Sequence, residues 1–195
     1  MNRFVWIPLS LMGIITLAVL ALPACNSIDR PVAPGQVSNS APSNCNGVLG
    51  DNTIEPQVAA VSDLWFDPIV PTSNTYLESI ALYIGSSTST PVTYEAGIYS
   101  NNATGPSALL EETGIQTMNG PATLWNITSL KNSVSLSAGV TYWLAFQVSN
   151  DGYRYNTATT AYSYQPAGAF GSLPANFSGT NSSGFVLSIY GVTCP

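Results

Sequence analysis

The sequence predicts an all-β domain, a two-sheet antiparallel β-sandwich of about ten strands, and three observations lead there. Short segments with a two-residue apolar period recur between turn clusters from Gln57 onward, and no window sustains a 3.6-residue period. Ser, Thr, Asn, Gly, Pro and Tyr are abundant, as in chains built of strands and turns. Only 7% of the 195 residues are charged and histidine is absent, which fits an extracellular protein better than a helical cytosolic enzyme.

Taken in order, the strand candidates begin with VAAVSDLWF at 58–66 and YLESIALYI at 76–84. In VTYEAGIY the alternation sets Val92, Tyr94, Ala96 and Ile98 on one face, with Glu95 and Tyr99 opposite. ALLEET at 108–113, TLWNI at 123–127 and SVSL at 133–136 follow. VTYWLAFQV places Val140, Tyr142, Leu144, Phe146 and Val148 on a core face, and Thr141, Trp143, Ala145 and Gln147 on the other. SNDGYRY sets Asn150, Asp151 and Gly152 between two strand-like runs, the signal of a tight hairpin. FVLSIYG closes the series with Phe185, Leu187 and Ile189 together on one face.

The N-terminus predicts export. Residues 1–24 run from a short segment with Arg3 through the apolar stretch Phe4 to Leu22, 19 residues long, to the small residue Ala24, the layout of a secretory signal. That stretch is also just long enough to cross a bilayer as an uncleaved helix. Leu22, Pro23, Ala24 and Cys25 resemble the bacterial lipoprotein signal, in which the cysteine is acylated; Pro23 departs from its pattern. An ordinary cleaved signal and an uncleaved anchor are the alternatives to lipidation at Cys25. Three cysteines leave one odd in an exported chain; lipidation of Cys25 removes it, and Cys45 and Cys194 would then pair. Residues 25–52 read as a flexible tether rich in Pro, Ser, Asn and Gly, and 53–195 as the sandwich domain. About 140 residues are enough for a substantial core.

The succession AGIYSNNATGPSALLEET, Trp125, LSAGVTYWLAFQV, FGSLPANF and SIYG, spread over 58–192, resembles the bacterial extracellular domains called choice-of-anchor R. The resemblance implies a jelly-roll-like sandwich on exported, surface-attached proteins, with no established catalytic residues. The chain stops at Cys194 and Pro195 with no C-terminal sorting segment, so attachment is expected from the N-terminus.

The net charge of −6, with no cluster of Lys or Arg, removes the footprint of nucleic-acid binding. Without histidine, the Ser-His-Asp arrangement and His-rich zinc sites are excluded, and carboxylates are the remaining catalytic groups. Glu78, Glu95, Glu111, Glu112, Asp63 and Asp67 are the candidates, but nothing in the sequence fixes any pair in space, and solvated strand and turn positions are the favoured account of them. No cofactor is expected; Asp63 and Asp67 with backbone carbonyls could form a structural calcium site, for which two acids four residues apart are weak evidence. Tyr153 and Tyr155, and Tyr162 and Tyr164, pair on strand faces as candidate stacking surfaces for a glycan or a protein; covering an open end of the sandwich is their structural alternative. Sequons occur at Asn102, Asn126, Asn176 and Asn181. The function expected is a noncatalytic recognition or adhesion module on the cell envelope, membrane-anchored by lipid. A structural subunit of a surface assembly and a carboxylate-dependent glycoside hydrolase are the rivals.

Overall fold

A computed structural model describes residues 44–59, 63–86, 90–120, 122–149, 152–165 and 170–195. All of them belong to one compact unit, Val32–Pro195. The described residues are all-β and contain no helix. Their strands are β1 (Gly47–Gly50), β2 (Gln57–Ala59), β3 (Leu64–Ile69), β4 (Thr75–Ser86), β5 (Val92–Asn102), β6 (Gly105–Glu112), β7 (Gln116–Met118), β8 (Ala122–Leu136), β9 (Tyr142–Val148), β10 (Gly152–Gln165), β11 (Thr180–Leu187) and β12 (Ile189–Cys194).

The strands form two antiparallel sheets, of four and five strands, in the sandwich arrangement that the alternation predicts. One sheet is ordered β1-β12-β4-β8; the other is β10-β3-β9-β5-β6, with β7 also on β5, and β2 and β11 on β10. At one corner Gly152 and Tyr153 of β10 pair with Gly85 and Ile84 of β4, so the ladder continues between the layers without closing a barrel.

The main core fills the space between the sheets. Leu77, Ile80, Leu82 and Ile84 of β4 meet Tyr94, Ala96 and Ile98 of β5 and Leu144, Phe146 and Val148 of β9. Each such fully buried side chain contributes about 1.5–3 kcal/mol of hydrophobic stabilisation. The switch from odd to even inward positions along β4 has a local cause. Leu77 and Ser79 pair with the consecutive residues Thr193 and Val192 of β12, leaving Glu78 as the extra residue of a bulge. The facing strand is irregular at the same place: the register on β8 passes from Val134 directly to Ser129. TLWNI and SVSL are therefore two parts of one strand rather than separate ones.

Three further expectations are corrected. The Asn150–Gly152 turn does not close a hairpin, because β3 lies between β9 and β10 in the sheet and β9 already pairs with β3 and β5. FVLSIYG is broken at Ser188, where the chain leaves β10's neighbour β11 and enters the other sheet as β12. The Ser188 carbonyl accepts from Tyr83 N–H at 3.1 Å and its hydroxyl from Glu55 N–H at 2.9 Å, which satisfies the corner's polar groups. Val140 lies outside β9 and is exposed. The sheet also begins earlier than residue 53: Gly47–Gly50 pair with β12.

Cys45 and Cys194 are joined in a disulfide, tying the chain just before β1 to the last residue of β12. Cys25 and the 1–24 segment lie outside the described residues.

Candidate functional site

On β5 and β9, Glu95 stands directly opposite Gln147, Gly97 opposite Ala145, and Tyr99 opposite Trp143. Their even-numbered neighbours fill the main core, so alternation turns these residues to the outer face of the five-stranded sheet. That face is nevertheless dry, with Glu95 only 1% exposed and Tyr99 fully buried. The cover is the segment 171–177, which lies across the sheet as a strap.

Each of three outward side chains holds one peptide group of the strap. Glu95 Oε2 accepts from Leu173 N–H at 3.1 Å, Gln147 Oε1 accepts from Gly171 N–H at 3.4 Å, and Tyr99 donates its hydroxyl to the Pro174 carbonyl at 2.7 Å. Further along, Leu109 N–H donates to Ala175 O and Phe177 N–H to Ser107 O, attaching the strap to β6. Leu173 joins a second small core with Leu64, Phe66, Tyr99, Trp143 and Ala145, and Phe177 meets Phe66 edge-on at 5.0 Å. Gly97 makes the seat: a Cβ there would lie 2.6 Å from Leu173 Cδ1 and 2.9 Å from the Glu111 carbonyl.

Beside this strap the fold brings three carboxyl groups together. Glu112, the register partner of Gly97, forms an ion pair with Lys131 of β8 and its charge acts on Glu95, and Glu111 Oε2 accepts from Asn132 Nδ2 at 2.7 Å. Burial, and then the Glu112 charge, push the Glu95 carboxyl above its ordinary range; the Leu173 N–H and the Lys131 charge oppose this and are outweighed. The hydrogen bond to Glu112 raises Lys131 and holds it firmly as an ammonium ion. Burial first, then the charges of Glu112 and Glu95, suppress ionisation of Tyr99 and preserve it as a donor. This arrangement buries one carboxyl group beneath the strap and pairs a second with Lys131. Two-carboxylate glycoside hydrolysis instead holds its pair about 5–10 Å apart across a substrate.

Asp67 lies on the other face of the sheet, sharing its side of β3 with the core residues Trp65 and Ile69. It is 4% exposed, and its Oδ1 has no hydrogen-bond partner among the described residues. Burial, and then the Asp51 charge, raise its carboxyl to about 8. Asp63 sits half-buried immediately before β3. Four residues of extended chain separate the two aspartates by about 13 Å, so the strand holds them apart, whereas ligands of one calcium ion lie about 2.3–2.6 Å from it. Among the described residues no group of three or more His, Cys, Asp or Glu could hold a metal ion.

The four candidate tyrosines all fall on β10. Tyr153 pairs with Ala59 and Ile84, Tyr155 with Gln57 and Leu187, Tyr162 with Ser182, and Tyr164 with Trp65 and Thr180. Their side chains lie outside the described residues. A different aromatic group emerges on the outer face of the four-stranded sheet. Trp125 of β8 is the register partner of Tyr83, and its ring meets those of Tyr83 at 5.3 Å and Tyr190 at 4.8 Å, both edge-on. All three are half-buried. Tyr83 was legible as outward from its place between the inward Leu82 and Ile84, but only the strand order shows that Trp125 and Tyr190 flank it.

The sequons divide by burial. Asn126 is buried, its Nδ2 donating to the Leu124 carbonyl at 3.0 Å, whereas Asn102, Asn176 and Asn181 are exposed. Asn126 is therefore closed to modification once the sandwich has formed.

In comparisons with known proteins, no family model and no curated protein matches the chain.

Proposed function

We propose that the protein is a noncatalytic module of the cell envelope, exported through residues 1–24, held by lipid at Cys25, and recognising a glycan or protein with its sandwich domain. The observation that carries recognition is the aromatic group Tyr83, Trp125 and Tyr190 on the outer face of the four-stranded sheet. Around these rings the same face presents the uncharged residues Ile127, half-buried, and Ser129, exposed. Aromatic rings with hydroxyl handles and no charge suit a neutral sugar, whose C–H faces stack and whose hydroxyls hydrogen-bond. The exposed side chains of Val48 and Tyr76 extend the apolar surface on the same sheet.

Export and anchoring have separate support. The disulfide uses two of the three cysteines and fits an oxidising compartment, which leaves Cys25 as the thiol for acylation. The resemblance to the choice-of-anchor R domains points to the same setting. A noncatalytic reading is favoured by the placement of Glu95, buried beneath Leu173, and of Glu112, paired with Lys131.

Location is tested by intact mass of the protein extracted from membranes. Lipidation predicts a chain that starts at Cys25 and carries acyl mass; an unmodified chain retaining Met1 would make 4–22 a helix anchor instead. Recognition is tested on a glycan array with a soluble fragment from Val32, which is expected to bind neutral glycans.

A further inference from the structure

We propose that residues 171–174 are a pH-gated strap, latched over the buried Glu95 carboxyl group and released when that group ionises, uncovering Tyr99 and Trp143. Three observations make the segment a latch rather than a permanent part of the sheet. Its grip on the face consists of single hydrogen bonds to three side chains, Glu95, Gln147 and Tyr99, instead of a ladder. Leu173 closes directly over the carboxyl group, seated in the space that Gly97 leaves open. Beyond Pro174 the chain is anchored to β6 through Ala175 and Phe177, so 171–174 can lift while the rest stays attached.

The groups around Glu95 set the direction of the gate. The Glu112 charge of β6 acts on it, Lys131 of β8 pairs with Glu112 and feels Glu111, Tyr99 of β5 is a neutral phenol, and Gln147 of β9 is neutral. With the strap closed, an ionised Glu95 would be buried against the Glu112 carboxylate with a single Leu173 N–H in compensation. Lifting Leu173 admits water and returns Glu95 toward ordinary glutamate behaviour. Closed strap and protonated Glu95 are thereby linked, and each pH unit within the window between its ordinary and its raised value favours opening by up to about tenfold. Loss of the proton also sets two like charges face to face, which adds to the drive.

Hydrogen exchange of the full-length protein between pH 5 and 9, corrected for intrinsic exchange rates, tests the gate. In the wild type, protection of the Gly171 and Leu173 amides is expected to fall by up to about tenfold per pH unit, while β4 amides hold theirs. Glu95→Gln keeps an acceptor for Leu173 N–H, cannot ionise, and is expected to keep the strap protected throughout. Glu112→Gln removes the neighbouring charge and is expected to shift the fall to lower pH. A flat wild-type profile, a fall in Glu95→Gln that parallels the wild type, an unshifted profile in Glu112→Gln, or an equal loss across β4 would each overturn the proposal.

Discussion

Asp67→Asn is expected to stabilise the domain at pH 8 by up to about 5 kcal/mol and to change little near pH 3.5. The group is buried beside Asp51 with one oxygen unpartnered, and its folded value of about 8 stands against an ordinary 3.8. Because the folded value is raised, the carboxyl's contribution is fully present below the unfolded value and is lost as pH rises toward the folded one. About four pH units at about 1.4 kcal/mol each set the size of the effect. Asparagine has nearly the same shape and cannot ionise, so it removes the loss. Glu95, also raised, adds pH dependence in the same direction, so the variant's curve is flattened rather than level. Thermal melts of both proteins from pH 3.5 to 9 should converge at the acid end and diverge above pH 5, by roughly 10 °C or more at pH 8. Parallel curves would show that Asp67 is not the titrating group.

The Cys45→Ala/Cys194→Ala double variant should lose about 5 kcal/mol on the chain-entropy account of a long closed loop. The bond spans a sequence separation of 149 and encloses all twelve strands. It also fixes the edge pair β1 and β12, where β1 contributes only Gly47–Gly50 to the ladder. Denaturant unfolding of the oxidised wild type and the double variant gives the difference directly, and a loss below 1 kcal/mol would mean that native contacts alone hold the termini. Replacing both cysteines avoids leaving a lone reactive thiol.

The class of fold was legible because a β-sandwich writes its core into alternate residues: Tyr94, Ala96 and Ile98, or Leu144 and Phe146, could be assigned to one face without any knowledge of their partners. Pairing was less legible, since β9 and β10 follow each other in sequence yet have β3 between them, and no local signal records an inserted strand. The break at Ser188 had the same origin. Periodicity runs unbroken through Phe185, Leu187 and Ile189 because all three face the same core from different sheets.

The site was harder to read than the fold. Glu95 has the sequence signature of a solvated strand residue, polar and opposite an apolar face, and it is buried only because Leu173, distant in the chain, folds over it. A hint lay in its neighbours Gly97 and Tyr99, an outer face too apolar for open water. Asp67 follows Trp65 and Phe66 in a strand buried on both faces, a position where alternation loses its meaning. The aromatic group needed the register itself, since Tyr83, Trp125 and Tyr190 come from three strands.

Trp125 contacts both Tyr83 and Tyr190 in the proposed recognition surface, so the most direct measurement is titration of a glycan captured by the wild-type fragment against the fragment carrying Trp125→Ala. Loss of ring stacking predicts binding at least about tenfold weaker, with near-wild-type strand content by circular dichroism. Undiminished affinity in the variant would contradict recognition through this face.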